Sequence, residues 1–277
     1  GVPRTAQLLR RLGKTGKPVA VLDEDVEESL AAREPTRRNV RVFDTANSLT
    51  AGRKVGRFLL GLGHRRVVYI SPVHGIFWSR RRCQGLVEAF RDAGIPDAVV
   101  EATLEQYRYR TEFISEDSSA RTRVESLLTG DLAKVPASDV ISRGTLDGLR
   151  AQVFEMIKGR TLHEKLVPLF QTALRAADAT AWVANYDPVA LEALTFLREQ
   201  GRRVPQDISV VGFDDSLEAF LNKLTSYNFN TVAALRPMLD FILAPPSVRH
   251  RLQPRGPVVI EGFVNGRMST ARPRSRS

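Results

Sequence analysis

An α/β fold, with a parallel sheet covered by helices on both faces, is predicted by three observations. The run Ile208-Ser209-Val210-Val211-Gly212-Phe213 is almost unbroken in its apolar, β-branched character, with no solvent-facing alternation, which suits a strand buried on both sides. Runs of this kind alternate along the chain with amphipathic segments, an order that implies right-handed crossovers and parallel pairing. The Ile208 run then ends in two carboxylates, Asp214 and Asp215, at the carboxyl end of a strand, where open α/β sheets bind ligands. A plainer role for the pair is to cap the following helix through Leu217, Phe220 and Leu221.

Taken in order, residues 5–13 read as a helix with Gly13 as its stop, and Pro18–Asp23 as a buried strand ending in an acid. A helix that feeds a strand at the very start implies that strands of the same unit precede residue 1. Val40–Asp44 is a second strand. Asn47 or Ser48 caps a helix to Leu62, with Ala51, Val55, Phe58, Leu59 and Leu62 on one face and Gly63 closing it. Val67–Ile70 is a strand, followed by a loop holding Phe77 and Trp78, a helix through Leu86 and Phe90 closed near Gly94, and a strand at Ala98–Val100.

From about residue 103 the pattern degrades into a polar stretch, with a short helix at 124–128 and two amphipathic helices at 146–157 and 162–174. The alternation resumes with strand 179–183, helix 188–200 stopped by Gly201, and the Ile208 strand. A short strand at 224–229, a helix capped by Thr231 and broken at Pro245-Pro246, and a last strand within 256–264 complete the chain.

Composition narrows the function. A chain of 277 residues, 43% apolar, can bury a large core in one or two domains. No window approaches the roughly 20 apolar residues needed to span a bilayer, so no membrane partner is expected. The single Cys83 excludes an internal disulfide, and the four histidines lack ligand spacing, so neither a metal nor any other cofactor is expected. The net charge of +10 is concentrated in Arg37-Arg38, Arg65-Arg66, Arg80-Arg81-Arg82 and the terminal arginines, and reads as solvated surface plus a basic tail rather than a nucleic-acid footprint. No Gly-rich phosphate loop, Gly-x-Ser-x-Gly or Ser/His/Asp order is present, which argues against an enzyme.

Several stretches carry a family resemblance. They are Gly63-His64-Arg65-Arg66-Val67, Arg82-Cys83-Gln84-Gly85, Ala181 to Ala190, Val204-Pro205-x-Asp207-Ile208-Ser209-Val210-Val211-Gly212-Phe213-Asp214-Asp215, Leu224-Thr225, and Arg267-Met268-Ser269-Thr270. In this order they resemble the effector-binding domain of the LacI/GalR family of bacterial transcription regulators, over about residues 5–270 with a poor fit at 104–165. The block from Ala181 to Asp215 is the most specific. The resemblance implies a two-lobed, periplasmic-binding-protein-like α/β fold with three crossovers and a ligand in the cleft. One lobe would comprise 1–64 and 216–245, the other 65–215 and 246–270, with an insertion at about 104–165 and a disordered basic tail at 271–277.

The resemblance also implies a site. Arg82 takes the position of a ligand-contacting arginine, whose guanidinium fork can bridge vicinal hydroxyls or a carboxylate; the alternative is one more member of a basic surface run. Asp214 takes the position of an acceptor for sugar hydroxyls. A buried acceptor of this kind selects its ligand strongly, because an analogue lacking the hydroxyl leaves it unpaired. Phe77 and Trp78 fall where an aromatic platform is expected, though either could simply be core. Asn47 and Thr50 fall where the first lobe supplies polar contacts. Where the family carries Asn-Asp, this chain reads Tyr186-Asp187, so a phenol replaces a small amide in the ligand-facing position and argues against a plain hexose. By the same resemblance the protein would be a cytoplasmic homodimer that senses a small sugar-like effector and binds DNA through a separate N-terminal domain. A solute-binding protein of a transporter has the same fold and is the competing expectation.

Overall fold

The structure is a computed structural model that describes residues 2–23, 39–44, 48–104, 163–249 and 258–274. The elements are α1 (Val2–Gly13), β1 (Val19–Asp23), β2 (Val40–Asp44), α2 (Ser48–Leu62), β3 (Val67–Ser71), α3 (Phe77–Asp92), β4 (Val99–Thr103), α4 (163–175), β5 (Ala181–Ala184) and α5 (Asp187–Glu199). They continue with β6 (Ser209–Phe213), α6 (Leu217–Leu221), β7 (Thr225–Asn228), α7 (Thr231–Leu243), α8 (Pro246–Arg249), β8 (Val258–Val259) and β9 (Phe263–Asn265). The short helix expected at 124–128 and the one at 146–157 lie outside the described residues, as does most of the expected insertion.

The described residues form two sheets. One has the order β1-β2-β8 and is parallel throughout; the other has the order β4-β3-β5-β6-β7-β9, parallel except for β9 against β7. The larger sheet is covered on both faces, and the alternation of its side chains shows how. Val68, Ile70, Trp182, Ala184 and Val210 point into a core with α4 and α5. Val67, Tyr69, Val183, Val211 and Phe213 point into a second core with α2 and α3. The central strands β3, β5 and β6 therefore carry apolar residues at both odd and even positions, which is why Ile208–Phe213 shows no alternation; all five residues of β6 are buried. Trp182 anchors the first core, stacked against Phe170 and Phe196 at centroid distances of 6.0 and 6.3 Å. Burying a side chain of this size contributes on the order of 2–3 kcal/mol.

The expected lobe boundaries move at three places. Helix α2 belongs to the larger sheet, because its stripe Ala51, Val55 and Leu59 packs on Val67, Tyr69, Leu86 and Phe90. Strand β7, expected with the first lobe, pairs with β6 in the larger sheet, its register running from Thr225 on Val211 to Tyr227 on Phe213. The single strand expected within 256–264 is two: β8 joins β2 in the smaller sheet, and β9 joins β7 in the larger. Helix α7 packs on β1 and β2. Among the described residues the chain passes between the sheets three times, from β2 to β3, from β7 to α7 and from β8 to β9.

Two local expectations also change. Thr231 opens α7 rather than capping it; the cap is Asn230 in the left-handed region at φ 58°, with no side-chain bond. The basic tail is ordered as far as residue 274, because Ala271 is tied on both sides: its N–H donates to Ser209 Oγ at 3.1 Å and its carbonyl accepts from His64 Nε2 at 3.0 Å. Residues 275–277 lie outside the described residues.

That second bond fixes the role of the His64 in the Gly-His-Arg-Arg stretch. With Nε2 donating, Nδ1 is the acceptor, and Thr180 Oγ1 lies 2.8 Å from it. The ring is fully buried, and burial lowers its pKa to about 4, against the partial opposing effect of the Ala271 carbonyl. The unfolded chain has an ordinary histidine near 6.5, so it binds the proton first as the pH falls. His64 is therefore neutral in both states above about pH 6.5, and stability is lost between about 6.5 and 4. Urea midpoints measured across that window should fall with decreasing pH, and His64→Gln should flatten the slope by about one proton.

Candidate functional site

The carboxyl ends of β3, β5 and β6 bring Ser71, Asn185 and Asp214 to one edge of the larger sheet, and Arg82 on α3 reaches toward them. Its guanidinium is held in an aromatic collar, 4.7 Å from the Trp78 ring centroid and 4.8 Å from those of Phe213 and Phe229. Nη1 donates to the Asn185 carbonyl at 2.5 Å, and Nη2 stands 3.4 Å from Asp214 Oδ1. Three ring faces and one carbonyl leave the arginine little rotational freedom, and cation–π contacts of this kind contribute about 0.5–2 kcal/mol each. Arg82 is buried rather than lying on the surface.

The two aspartates at the strand tip divide into different roles. Asp215 is enclosed, with only 8% of its side chain exposed, and accepts from Arg267 at 2.5 Å, Asn265 at 2.6 Å and Asn228 at 2.7 Å. Burial alone would raise its pKa, but these hydrogen bonds outweigh it and hold the carboxyl below the usual range. Asp214 has 47% of its side chain exposed and stands in a long ion pair with Arg82. Neither caps the next helix; Ser216 does, accepting from the Ala219 N–H at 3.1 Å. Both aspartates have positive φ, 103° for Asp214 and 50° for Asp215. The first value is sterically costly for a residue with a Cβ, and such strain persists only where neighbours over-determine it. Here the Asp214 N–H donates to Tyr227 O at 2.9 Å and the Asp215 N–H to Ser226 Oγ at 3.0 Å.

Tyr186 sits between Asn185 and the start of α5, edge-on to Trp78 with centroids 6.3 Å apart. Burial, with a smaller effect from the Asp214 charge, pushes its phenol up to about 12. The ring is thus a neutral hydroxyl donor at physiological pH. Arg82, Asp214, Trp78 and Tyr186, all expected at the site, come together. Phe77 does not join them: one residue earlier on α3 it points elsewhere, with the Arg81 guanidinium 5.1 Å from its centroid, and it lines a separate cavity beside His74. Successive helical residues diverge by about 100°, so Phe77 and Trp78 could not share one platform. Thr50 lies half-buried in the first turn of α2, and Asn47 lies outside the described residues.

Asn185, Phe213 and Phe229 belong to the group and were not expected there. Phe213 closes the most legible strand in the chain, and its ring meets both Tyr227 of the neighbouring strand, with centroids 6.0 Å apart, and the Arg82 guanidinium from α3. Asn185 is fully buried, yet neither amide atom has a hydrogen-bond partner among the described residues, and the same holds for Arg82 Nε. Buried polar atoms without partners are uncommon and call for an explanation.

The sequence profile of the periplasmic binding protein-like domain matches residues 133–262. The chain is 29% identical over 177 residues to the HTH-type transcriptional regulator MalR of Streptomyces coelicolor, covering 57% of this chain and 50% of that protein. It is 53% identical over 45 residues to the HTH-type transcriptional regulator CelR of Thermobifida fusca, covering 16% and 13%. The chain therefore spans half or less of the length of these two relatives. Its fold is that of a LacI family transcriptional regulator from Enterococcus faecium solved with bound ribose, at a TM-score of 0.52 and 18% identity over 95% of this chain and 74% of that one. By the profile, the two relatives and the shared architecture, the chain is similar to LacI-family transcriptional regulators over their periplasmic binding protein-like domain.

Proposed function

We propose that the edge of the larger sheet around Arg82 and Asp214 is an effector site, and that the domain senses a small, hydroxyl-rich polar molecule. The observation that carries this is the pairing of a half-exposed carboxylate with an arginine locked in an aromatic collar 3.4 Å away. The Arg82 fork donates and the Asp214 carboxylate accepts, so adjacent hydroxyls of one ligand can satisfy both at once. The Trp78 and Tyr186 rings add an apolar flank and a neutral phenol, which suit a ring with one C–H face. The unpartnered amide of Asn185 offers a further donor and acceptor beside them. Tyr186 narrows the choice, since its bulk takes space that a small amide would leave to a hexose.

Relatives named as HTH-type transcriptional regulators, and a structural neighbour solved with ribose, support a role in transcription regulation. In that role the effector shifts the relative arrangement of the two sheets, a homodimer is the working unit, and DNA binding belongs to a separate N-terminal domain. A solute-binding protein has the same fold, but no relative named here is a transport protein.

A thermal-shift screen of pentoses, hexoses, nucleosides and sugar acids, followed by calorimetry on the best hit, tests the site. Asp214→Asn should weaken that hit by about 10–100-fold, or roughly 1.4–2.8 kcal/mol, because the amide keeps the shape but loses the charge and replaces one acceptor oxygen with a donor. Arg82→Ala should weaken it at least as much. Unchanged affinity in both variants would retire the site.

A further inference from the structure

Next to the collar, around Cys83 of α3, lies a second group of side chains that the effector site does not use. His74 in the β3–α3 loop, Cys83 on α3 and Glu101 on β4 place an imidazole nitrogen, a thiol sulfur and a carboxylate oxygen within 4.8 Å of one another. They line a cavity of about 430 Å³ together with Phe77, Arg80, Arg81, Gln84 and Val87. We propose that His74 Nε2, Cys83 Sγ and Glu101 form a three-ligand site for a zinc-class divalent cation, with its remaining position on this cavity.

Three features of the geometry point this way. First, His74 Nε2 and Glu101 Oε2 are 3.4 Å apart, longer than the roughly 2.8 Å of a charge-assisted hydrogen bond. Two ligand atoms about 2.1 Å from one tetrahedral ion stand roughly 3.4 Å apart. Second, the imidazole is already oriented. Its Nδ1 faces Ser79 Oγ at 3.4 Å, and Ser79 is fixed in turn by Ser71 Oγ at 2.7 Å and the Tyr69 hydroxyl at 3.1 Å. The Tyr69 ring packs edge-on to His74 at 5.9 Å. Metal-bound histidines characteristically have the second ring nitrogen held in this way. Third, one nitrogen, one sulfur and one oxygen are a donor set that zinc accepts, and three protein ligands leave a place for water or an anion.

Cys83 is buried, and burial together with the Glu101 charge disfavours its thiolate. A dication reverses that preference: the Sγ–H proton leaves to solvent as the Sγ–metal bond forms. The bound ion would tie the β3–α3 loop, α3 and β4 together one residue from Arg82.

The chain is stripped with EDTA, given one equivalent of zinc, passed through gel filtration and assayed by atomic emission. One zinc per chain is expected to stay. With cobalt in place of zinc, a thiolate-to-cobalt charge-transfer band should appear in the near ultraviolet. Cys83→Ser should abolish the band, and Glu101→Gln should weaken zinc by at least about tenfold. Because Glu101 is exposed, its variant folds whatever happens at Cys83. Loss of all zinc from the wild-type chain on gel filtration, or unchanged zinc affinity in Glu101→Gln, overturns the site. The sugar affinities of the preceding experiment are read separately, so either site can fail alone.

Discussion

Gly85→Ala is expected to destabilise the protein by at least about 3 kcal/mol, although alanine is favoured over glycine in a helix interior by about 1 kcal/mol. Helices α2 and α3 cross with their backbones in contact at two glycines. A Cβ on Gly85 would lie 2.0 Å from the Leu49 carbonyl oxygen and 2.9 Å from the Arg53 nitrogen, and a Cβ on Gly52 would lie 2.0 Å from the Arg82 carbonyl oxygen. These are main-chain atoms of helices, so no rotamer change can make room. One turn on, Gly56 already faces the Ala89 methyl. The helices must separate, which opens the core of Val55, Leu59, Leu86 and Phe90 between them; overpacking of this severity lies at or beyond the usual 1–3 kcal/mol. Gly61→Ala is the control, since nothing lies within 4 Å of its Cβ, and it should be neutral or stabilising. Urea unfolding of the two variants checks the prediction, and equal midpoints would refute it. Because Arg82 rides on α3, Gly85→Ala should also displace the collar and lose effector affinity.

The α/β class and most element positions were legible because this sheet is covered on both faces. A strand with helices above and below favours apolar residues on both faces, and Val67–Ile70, Ala181–Val183 and, but for Ser209, Ile208–Phe213 have them. Lobe membership was not legible in the same way. Helix α2 has one apolar stripe, and nothing in that stripe says whether it covers the sheet before it or the sheet after it. Strand β7 is the hardest case: Thr225 and Ser226 look like surface, yet both are buried because Ser269, Thr270 and Asp187 supply their hydrogen bonds. Those partners lie far along the chain, so the pairing is invisible to local pattern.

At the site, residue types were legible and directions were not. Asp214 and Asp215 are the same residue, adjacent in sequence, and only the folded chain shows that Arg267, Asn228 and Asn265 occupy one carboxylate and leave the other half-exposed. The Arg-x-Ser-Thr stretch, quoted as a family trait, proves to lace the sheet: Ser269 Oγ donates to Val210 O and accepts from the Thr225 N–H, both at 2.7 Å. Asp207 of the Val-Pro-x-Asp stretch likewise holds its own loop, through Arg203 Nη2 at 2.8 Å and Nε at 3.0 Å. Phe77 shows the limit of reading a loop from sequence, because the loop was already the first turn of α3.

Asp187→Ala should cost about 3 kcal/mol, read as a lowered urea midpoint and melting temperature. The carboxylate is fully buried where α5 begins, and it joins three elements. Oδ2 accepts from the Ser216 N–H at 2.8 Å, and Oδ1 accepts from Ser226 Oγ at 2.6 Å. Burial raises its pKa, and the hydrogen bonds from Ser226 and Ser216 only partly oppose that rise. Alanine would strand two buried donors at once, each costing about 1–3 kcal/mol. Asp187→Asn should lose about half as much, since its oxygen still accepts from one donor while its amide faces the other. Gly212 explains why no larger neighbour could take up the slack: a Cβ there would lie 2.2 Å from Oδ1, so the carboxylate is seated directly on the β6 backbone. Ser226 Oγ, once released, no longer has a reason to stay aimed at the Asp215 N–H, and that bond is one of two holding the positive φ angles at the strand tip. The backbone at Asp214 should then relax toward ordinary φ, carrying its carboxylate away from Arg82. Effector affinity should therefore fall in Asp187→Ala even under conditions where the variant is fully folded. A loss of stability below about 1 kcal/mol with unchanged affinity would show that the strand tip is held by something other than this carboxylate.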